Sequence, residues 1–200
     1  MEIIKKLVLF TVATIVVGYL IVWSLDAFGF RSPIFALLVN WLAMSWVAIA
    51  SQAVYFPFPA KYYDIKTFER TGRVYEHLGI RLFKKVVRRG PLTVFSPTLR
   101  FPKGKTTSAL RYLDHEMQKA ETGHMFIFML MLIVTGYALV MAWFDAVGWI
   151  LAFNVIFNGY PVMLQRYNRI RLQALIQRQG VANQEESANK NPDTAPSPSL

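Results

Sequence analysis

The residues best equipped for chemistry lie between Asp114 and Met125, Asp-His-Glu-Met-Gln-Lys-Ala-Glu-Thr-Gly-His-Met, a stretch that holds two of the chain's three histidines. It runs into an apolar segment that continues to Phe144. Glu121 and His124 are three residues apart, so on a helix they share a face. If the apolar segment crosses a bilayer, the pair sits where hydrocarbon gives way to head groups, and ionisable groups at that depth mark a functional site. With an ordinary pKa of about 6.5, an imidazole is neutral yet basic at working pH, which makes His124 the best general base in the chain. Glu121, one turn earlier, would orient the ring and stabilise the imidazolium. A plainer reading is that His124 hydrogen-bonds to a lipid head group.

Two further polar groupings stand elsewhere. One is Gln165-Arg166-Tyr167-Asn168-Arg169 with Arg171, preceded by Asn158; the other spans the middle of the chain, with Arg70, Arg73, Glu76 and Arg81 beside Glu69. Guanidinium groups suit phosphates, an acidic protein surface or a developing oxyanion. The alternatives are arginines that set membrane topology and a structural ion-pair net on a surface helix. Asn158, Tyr167 and Asn168 fit those alternatives less well. His77 and His115 are read as solvated.

The elements that must position these groups follow from how polarity is distributed. The chain has 200 residues, 54% of them hydrophobic, yet its net charge is +10. Long uncharged runs alternate with basic ones, the pattern of a bilayer protein rather than of a soluble core. The expected fold is an all-α membrane protein with four transmembrane helices and a cytoplasmic amphipathic helical insert between helices 2 and 3. Residues 1–180 form one membrane-embedded domain, with spans at about 5–25, 34–56, 124–144 and 147–165 and the insert at 57–123. The first span is read as a retained helix rather than a cleaved signal, because no small-residue cleavage site follows it. Trp41, Trp46 and Tyr55 are candidate interface anchors, and Asn40, Ser45, Ser51 and Gln52 are read as interhelical hydrogen-bonding groups.

Within the insert, Val74 to Arg89 reads as one basic amphipathic helix with Tyr75, Leu78, Leu82 and Val86 on a stripe, lying in the membrane plane and stopped by Gly90-Pro91. A loop follows from Pro91, and a helix capped near Thr107 or Ser108 leads into the third span. Asn154, Asn158 and Gln165 share a face of the fourth span, where Pro161 removes a backbone donor. Residues 181–200 have almost nothing to bury and read as a disordered tail. Four spans place both termini on one side, with Lys5, Lys6, the basic insert and the Arg-rich region after the fourth span, so that side is expected to be cytoplasmic and the membrane the cell (inner) membrane. The three polar groupings then meet at one depth, beside an apolar bundle.

Several chemistries are excluded. No cysteine occurs, so thiolate metal sites, disulfides and a cysteine acyl-enzyme are impossible. A single Glu-x-x-His is half of a di-iron unit, three histidines are too few for a membrane desaturase, and neither a Gly-x-Ser-x-Gly elbow nor a His-x-x-x-x-Asp motif is present. No metal and no nucleic acid is expected.

The middle sequence Phe-Glu-Arg-Thr-Gly-Arg-Val-Tyr-Glu-His-Leu-Gly-Ile-Arg-Leu-Phe-Lys-Lys, the Ala-Glu-Thr-Gly-His motif and Asn-Gly-Tyr-Pro-Val-Met-Leu-Gln-Arg-Tyr-Asn-Arg-Ile-Arg-Leu together resemble the glycosyl-4,4'-diaponeurosporenoate acyltransferase family, over roughly Tyr63 to Leu172. The resemblance implies a membrane O-acyltransferase that esterifies a sugar hydroxyl of a carotenoid or other lipid glycoside with a fatty acyl group at the cytoplasmic face. It further implies acyl-CoA or acyl carrier protein as donor and no bound cofactor. His124 would be the general base with Glu121 as its orienter, and Arg166, Asn168 and Arg169 would position donor or oxyanion. The competing class is a non-enzymatic membrane accessory or lipid-binding scaffold.

Overall fold

The computed structural model describes residues 2–53, 57–89 and 106–190; for residues 2, 52, 88, 89 and 181–190 it describes the backbone alone. All regular structure among these residues is helical. Helices α1 (Glu2–Phe28) and α2 (Pro33–Ala53) are followed by the short α3 (Ala60–Tyr63), a 3-10 turn at Thr67–Glu69, α4 (Arg73–His77) and α5 (Ile80–Arg89). Then come α6 (Thr107–Val140), α7 (Phe144–Asn154), a π-helical turn at Val155–Gly159 and α8 (Tyr160–Lys190). Four rods, α1, α2, α6 and the continuous α7–α8, are long and apolar enough to cross a membrane.

Local chemistry sets the ends of the rods. Gly29 takes a positive φ of 75° after α1. Pro33 opens α2, at the one helical position where its missing N–H costs nothing, and the Ser32 hydroxyl accepts the Ile34 N–H at 3.1 Å. The α6–α7 turn is equally tight, with the Trp143 N–H bonded to the Ala138 carbonyl at 3.0 Å. Arg31 donates from Nε to both oxygens of Asp145, at 3.0 and 2.9 Å, and so joins the two short turns at one end of the bundle. The insert and the polar half of α8 occupy the other end.

The rods pack through small side chains. Ala36, Ala138, Ala146 and Ile150 form one fully buried cluster, and Phe35, Val39 and Ala43 meet Ile127 and Met131 in another. Such residues let helices approach closely where lipid supplies no hydrophobic drive for association. At Gly123 a Cβ would stand 3.0 Å from Val47 Cγ1, so this glycine permits the α2–α6 crossing. The outward side chains Ile133, Val140 and Phe144 are 71%, 82% and 70% exposed, a surface only hydrocarbon can cover.

The structure departs from the sequence reading in the insert. Val74 to Arg89 is two helices rather than one, because Gly79 adopts φ 79° between them. The break lets Tyr75 and Ile80 both enter a cluster with Leu164 and Tyr167 of α8, which a straight helix would not allow. The cap of α6 is Thr106, whose hydroxyl accepts the Ala109 N–H at 3.4 Å, and α6 ends at Val140. Helix α8 continues to Lys190. Tyr55, the Gly90-Pro91 stop, the loop through Lys105 and residues 191–200 lie outside the described residues.

Candidate functional site

The site is built where α6 and α8 run side by side beneath the insert. Asp114, Glu121 and His124 lie along one side of α6, with Leu110, Leu113 and Met117 of the same helix buried nearby. Opposite stand Arg166 and Arg169, three residues apart on α8. Glu121 is completely buried and bonds both guanidinium groups: Arg166 Nη1 donates to Oε1 at 2.8 Å and Arg169 Nη1 to Oε2 at 3.0 Å.

Each arginine has a second carboxylate. Arg169, 2% exposed, donates from Nε to Asp114 Oδ1 at 3.0 Å and from Nη2 to the Tyr63 carbonyl at 2.9 Å. Arg166 grips Glu69 with two bonds, Nη2 to Oε1 at 2.6 Å and Nε to Oε2 at 3.0 Å, and reaches the carbonyls of Tyr62 and Asp64 at 3.1 and 3.3 Å. The rings of Tyr62 and Tyr63 lie beside these guanidinium groups, 5.4 and 5.6 Å from ring centre to carbon. Three carboxylates and two guanidiniums thus clamp the start of the insert onto α6 and α8.

Glu69 is the hinge of the clamp. It is 1% exposed, it accepts the Lys66 N–H at 2.7 Å and the Tyr75 hydroxyl donates to its other oxygen. Burial opposes its charge, but the bonds from Arg166, Tyr75 and the Lys66 backbone outweigh that and hold the carboxyl at about 2. Burial and the adjacent Glu69 carboxylate push the Tyr75 hydroxyl up. Nearer the surface, Tyr167 donates to Glu76 at 2.7 Å and Arg81 pairs with the same carboxylate at 2.8 Å, so Glu76 is held below the ordinary range by Tyr167 first and Arg81 second.

His124 faces a different neighbourhood from the one its spacing to Glu121 implies. Both Glu121 oxygens are taken by arginines, whereas the imidazole lies beside the Asn158 side chain and the Phe157 carbonyl. Pro161, four residues after Phe157, has no N–H to give that carbonyl, and the helix widens into its π turn here. Asn158 belongs to a buried amide chain: its Nδ2 donates to Asn154 Oδ1 at 2.9 Å and Asn40 Oδ1 at 3.2 Å, while Asn154 Nδ2 reaches the Phe128 carbonyl at 3.0 Å and Asn40 Nδ2 the Ala36 carbonyl at 2.9 Å. Asn40 therefore does bond between helices, as expected; among the described residues Ser45 and Ser51 bond to carbonyls of their own helix, and the Gln52 side chain lies outside what is described. Among the described residues, two atoms at this spot, His124 Nδ1 and Asn158 Oδ1, are buried without a hydrogen-bond partner.

The remaining site residues divide into groups. Lys84 donates to Asn168 Oδ1 at 2.7 Å, while among the described residues Asn168 Nδ2 is buried without a partner, as is Gln165 Oε1. Arg171 lies over the Tyr167 ring at 4.6 Å and donates to its hydroxyl at 2.7 Å. Arg70 borders an open groove of about 740 Å³ whose walls include Tyr63, Asp64, Gln118, Arg169 and Gln173. Arg73 is exposed on α4, and its carbonyl is bonded to His77 Nδ1. Sequence reasoning assigned no role to Tyr62 or Asp114. Asp114 had a signal, since it stands seven residues before Glu121 on one helix stripe; Tyr62 had none. Among the described residues no grouping of His, Asp and Glu is able to hold a metal.

A bundle of four membrane-length helices, with a buried ion-pair cluster and an imidazole at one end, defines a multi-span membrane protein with a polar site at the edge of its apolar core. The family model for glycosyl-4,4'-diaponeurosporenoate acyltransferase matches residues 59–178, from the insert to the end of the basic half of α8. The chain belongs to that family of acyltransferases. Comparison with curated proteins and with solved structures gives no significant match.

Proposed function

We propose that this protein transfers a fatty acyl group from a thioester donor to a hydroxyl of a glycosylated carotenoid or related lipid glycoside, at the cytoplasmic membrane surface, with His124 as general base. The observation that carries this reading is the buried imidazole nitrogen without a partner, set beside an equally unpartnered Asn158 oxygen. Leaving such atoms unpaired is costly, and a hydroxyl entering between them would supply the missing partner. The base takes the hydroxyl proton, the oxygen attacks the thioester carbonyl, and the departing thiolate recovers the proton from the imidazolium. Ester and free thiol are the products.

The ring lies beside Asn158 and the Phe157 carbonyl, while Glu121 acts at one remove by fixing Arg166 and Arg169. Since those arginines are neutralised by Glu69, Asp114 and Glu121, donor contacts fall to Asn168, with its unpartnered Nδ2, and to the flanking Lys84 and Arg171. That cationic edge suits the phosphates of coenzyme A or the acidic face of a carrier protein.

The test is turnover in proteoliposomes supplied with a glycosylated carotenoid and palmitoyl-CoA, with the ester measured by mass spectrometry. His124→Ala is expected to lose roughly 10²–10⁴-fold in rate while its unfolding midpoint stays close to that of the parent. A fully active His124→Ala protein refutes the proposal. It would favour the scaffold reading, in which the internally neutralised ion-pair cluster is purely an insert clamp.

A further inference from the structure

Helix α5 presents two apolar faces. One, with Ile80, Phe83 and Val87, packs inward; Ile80 is fully buried and Phe83 stacks on Tyr160 at 5.1 Å. The other, Leu82 and Val86, one turn apart, is 68% and 54% exposed, and Leu78, just ahead of the break at Gly79, is 51% exposed. A soluble surface does not leave such a stripe open.

The position of α5 along α8 shows what surrounds it. The Tyr160 hydroxyl donates to the Leu78 carbonyl at 3.0 Å, and Tyr160 lies six residues before Arg166, about 9 Å of helix rise toward the apolar end of the rod. Midway along α5, Lys84 reaches Asn168, eight residues and about 12 Å further along α8. The start of α5 therefore lies beside the first turn of α8 and its middle beside Asn168, with Arg81, paired to Glu76, in its first turn and Lys84 and Lys85 beyond it. Gly79 allows this course by breaking α4 from α5.

We propose that α5 is embedded in the lipid leaflet at the insert end of the bundle, with Leu78, Leu82 and Val86 among acyl chains and Lys85 at anionic head groups. This goes beyond acyl transfer and does not depend on it. The occupant of the exposed stripe is lipid, because the stripe is flanked by the exposed cations Arg81 and Lys85 and belongs to a bundle whose outward side chains are apolar.

The cysteine-free chain permits a direct test. Nitroxide labels are placed singly at Leu82→Cys and Val86→Cys, with Ile133→Cys as the hydrocarbon reference and Arg111→Cys as the water reference on α6. Accessibility to oxygen and to a water-soluble nickel chelate is then measured in vesicles of phosphatidylethanolamine and phosphatidylglycerol without substrate. Both α5 labels are expected to resemble position 133, with oxygen strongly favoured. Labels that resemble position 111 overturn the proposal, and so do labels shielded from both reagents, which would mean that protein covers the stripe. Adding Lys85→Gln to the Leu82→Cys protein is expected to reduce its depth in phosphatidylglycerol vesicles but not in phosphatidylcholine alone; equal depth in all cases sinks the head-group part.

Discussion

The ion-pair cluster makes an asymmetric prediction about its own members. It contains three carboxylates, Asp114, Glu121 and Glu69, and two guanidiniums, Arg166 and Arg169. Removing the Glu121 charge with Glu121→Gln leaves each arginine one carboxylate, Glu69 for Arg166 and Asp114 for Arg169, and retains an amide oxygen to accept one bond. Removing Arg169 with Arg169→Met strips Asp114 of the guanidinium that pairs with it and leaves three carboxylates around one arginine. Breaking a buried pair so that a charge is stranded costs about 3–5 kcal/mol, whereas losing part of a charged hydrogen-bond set costs about 1–3 kcal/mol. For a chain of this size that corresponds to a fall in unfolding midpoint of roughly 6–20 °C for Arg169→Met and roughly 2–12 °C for Glu121→Gln. The assay is thermal unfolding in mild detergent, followed by tryptophan fluorescence and by survival of the monodisperse peak after heating. Arg169→Lys should fall between, since it keeps the charge but cannot serve Asp114, Glu121 and the Tyr63 carbonyl at once. If Glu121→Gln proves as damaging as Arg169→Met, charge balance is not what holds the insert.

Further outcomes follow from the same geometry. Glu69 is held at about 2, below its ordinary 4.5, so its ionisation stabilises the fold above pH 4.5 and that contribution is lost as pH falls toward 2; Glu69→Gln should flatten an acid-unfolding curve in that window and lower stability above it. Gly72 and Gly79 both have positive φ, at 71° and 79°, but only at Gly72 would a Cβ meet a ring, 3.1 Å from Tyr167, so Gly72→Ala should destabilise more than Gly79→Ala in chemical denaturation. Asn154→Leu removes two bonds of the amide chain and should lower stability by about 1 kcal/mol in bicelle unfolding. If it also lowers acyl transfer with purified substrates far more than it lowers the folded fraction, the amide chain positions His124 as well as packing the bundle.

Much of the architecture was legible because hydrocarbon imposes so few solutions. Uncharged runs of span length had to be helices, and short glycine- and proline-marked turns such as Gly29 to Pro33 had to reverse them. The meeting of Glu121 with Arg166 and Arg169 was legible in outline for the same reason, since four rods deliver the ends of the third and fourth to one depth. The break at Gly79 was not. The stripe of Tyr75, Leu78, Leu82 and Val86 has helical period throughout, and only the pull of Leu164 and Tyr167 on both Tyr75 and Ile80 makes two helices better than one.

What the sequence by itself determined is the number of rods, the polar groups each carries and, through the run from Phe68 to Lys85 and the Gln-Arg-Tyr-Asn-Arg motif, the family. Those are properties of consecutive residues, fixed by hydropathy and helical period. Partnership was decided only by tertiary structure: Glu121 bonds two arginines instead of the histidine one turn away, and Asn158 with the Phe157 carbonyl stands at the imidazole in its place. Side chains three residues apart share a helix face, but a buried carboxylate turns to the strongest donor that packing brings within reach. Which donor that is depends on the rotation of α8 against α6, and no spacing along a single helix records it.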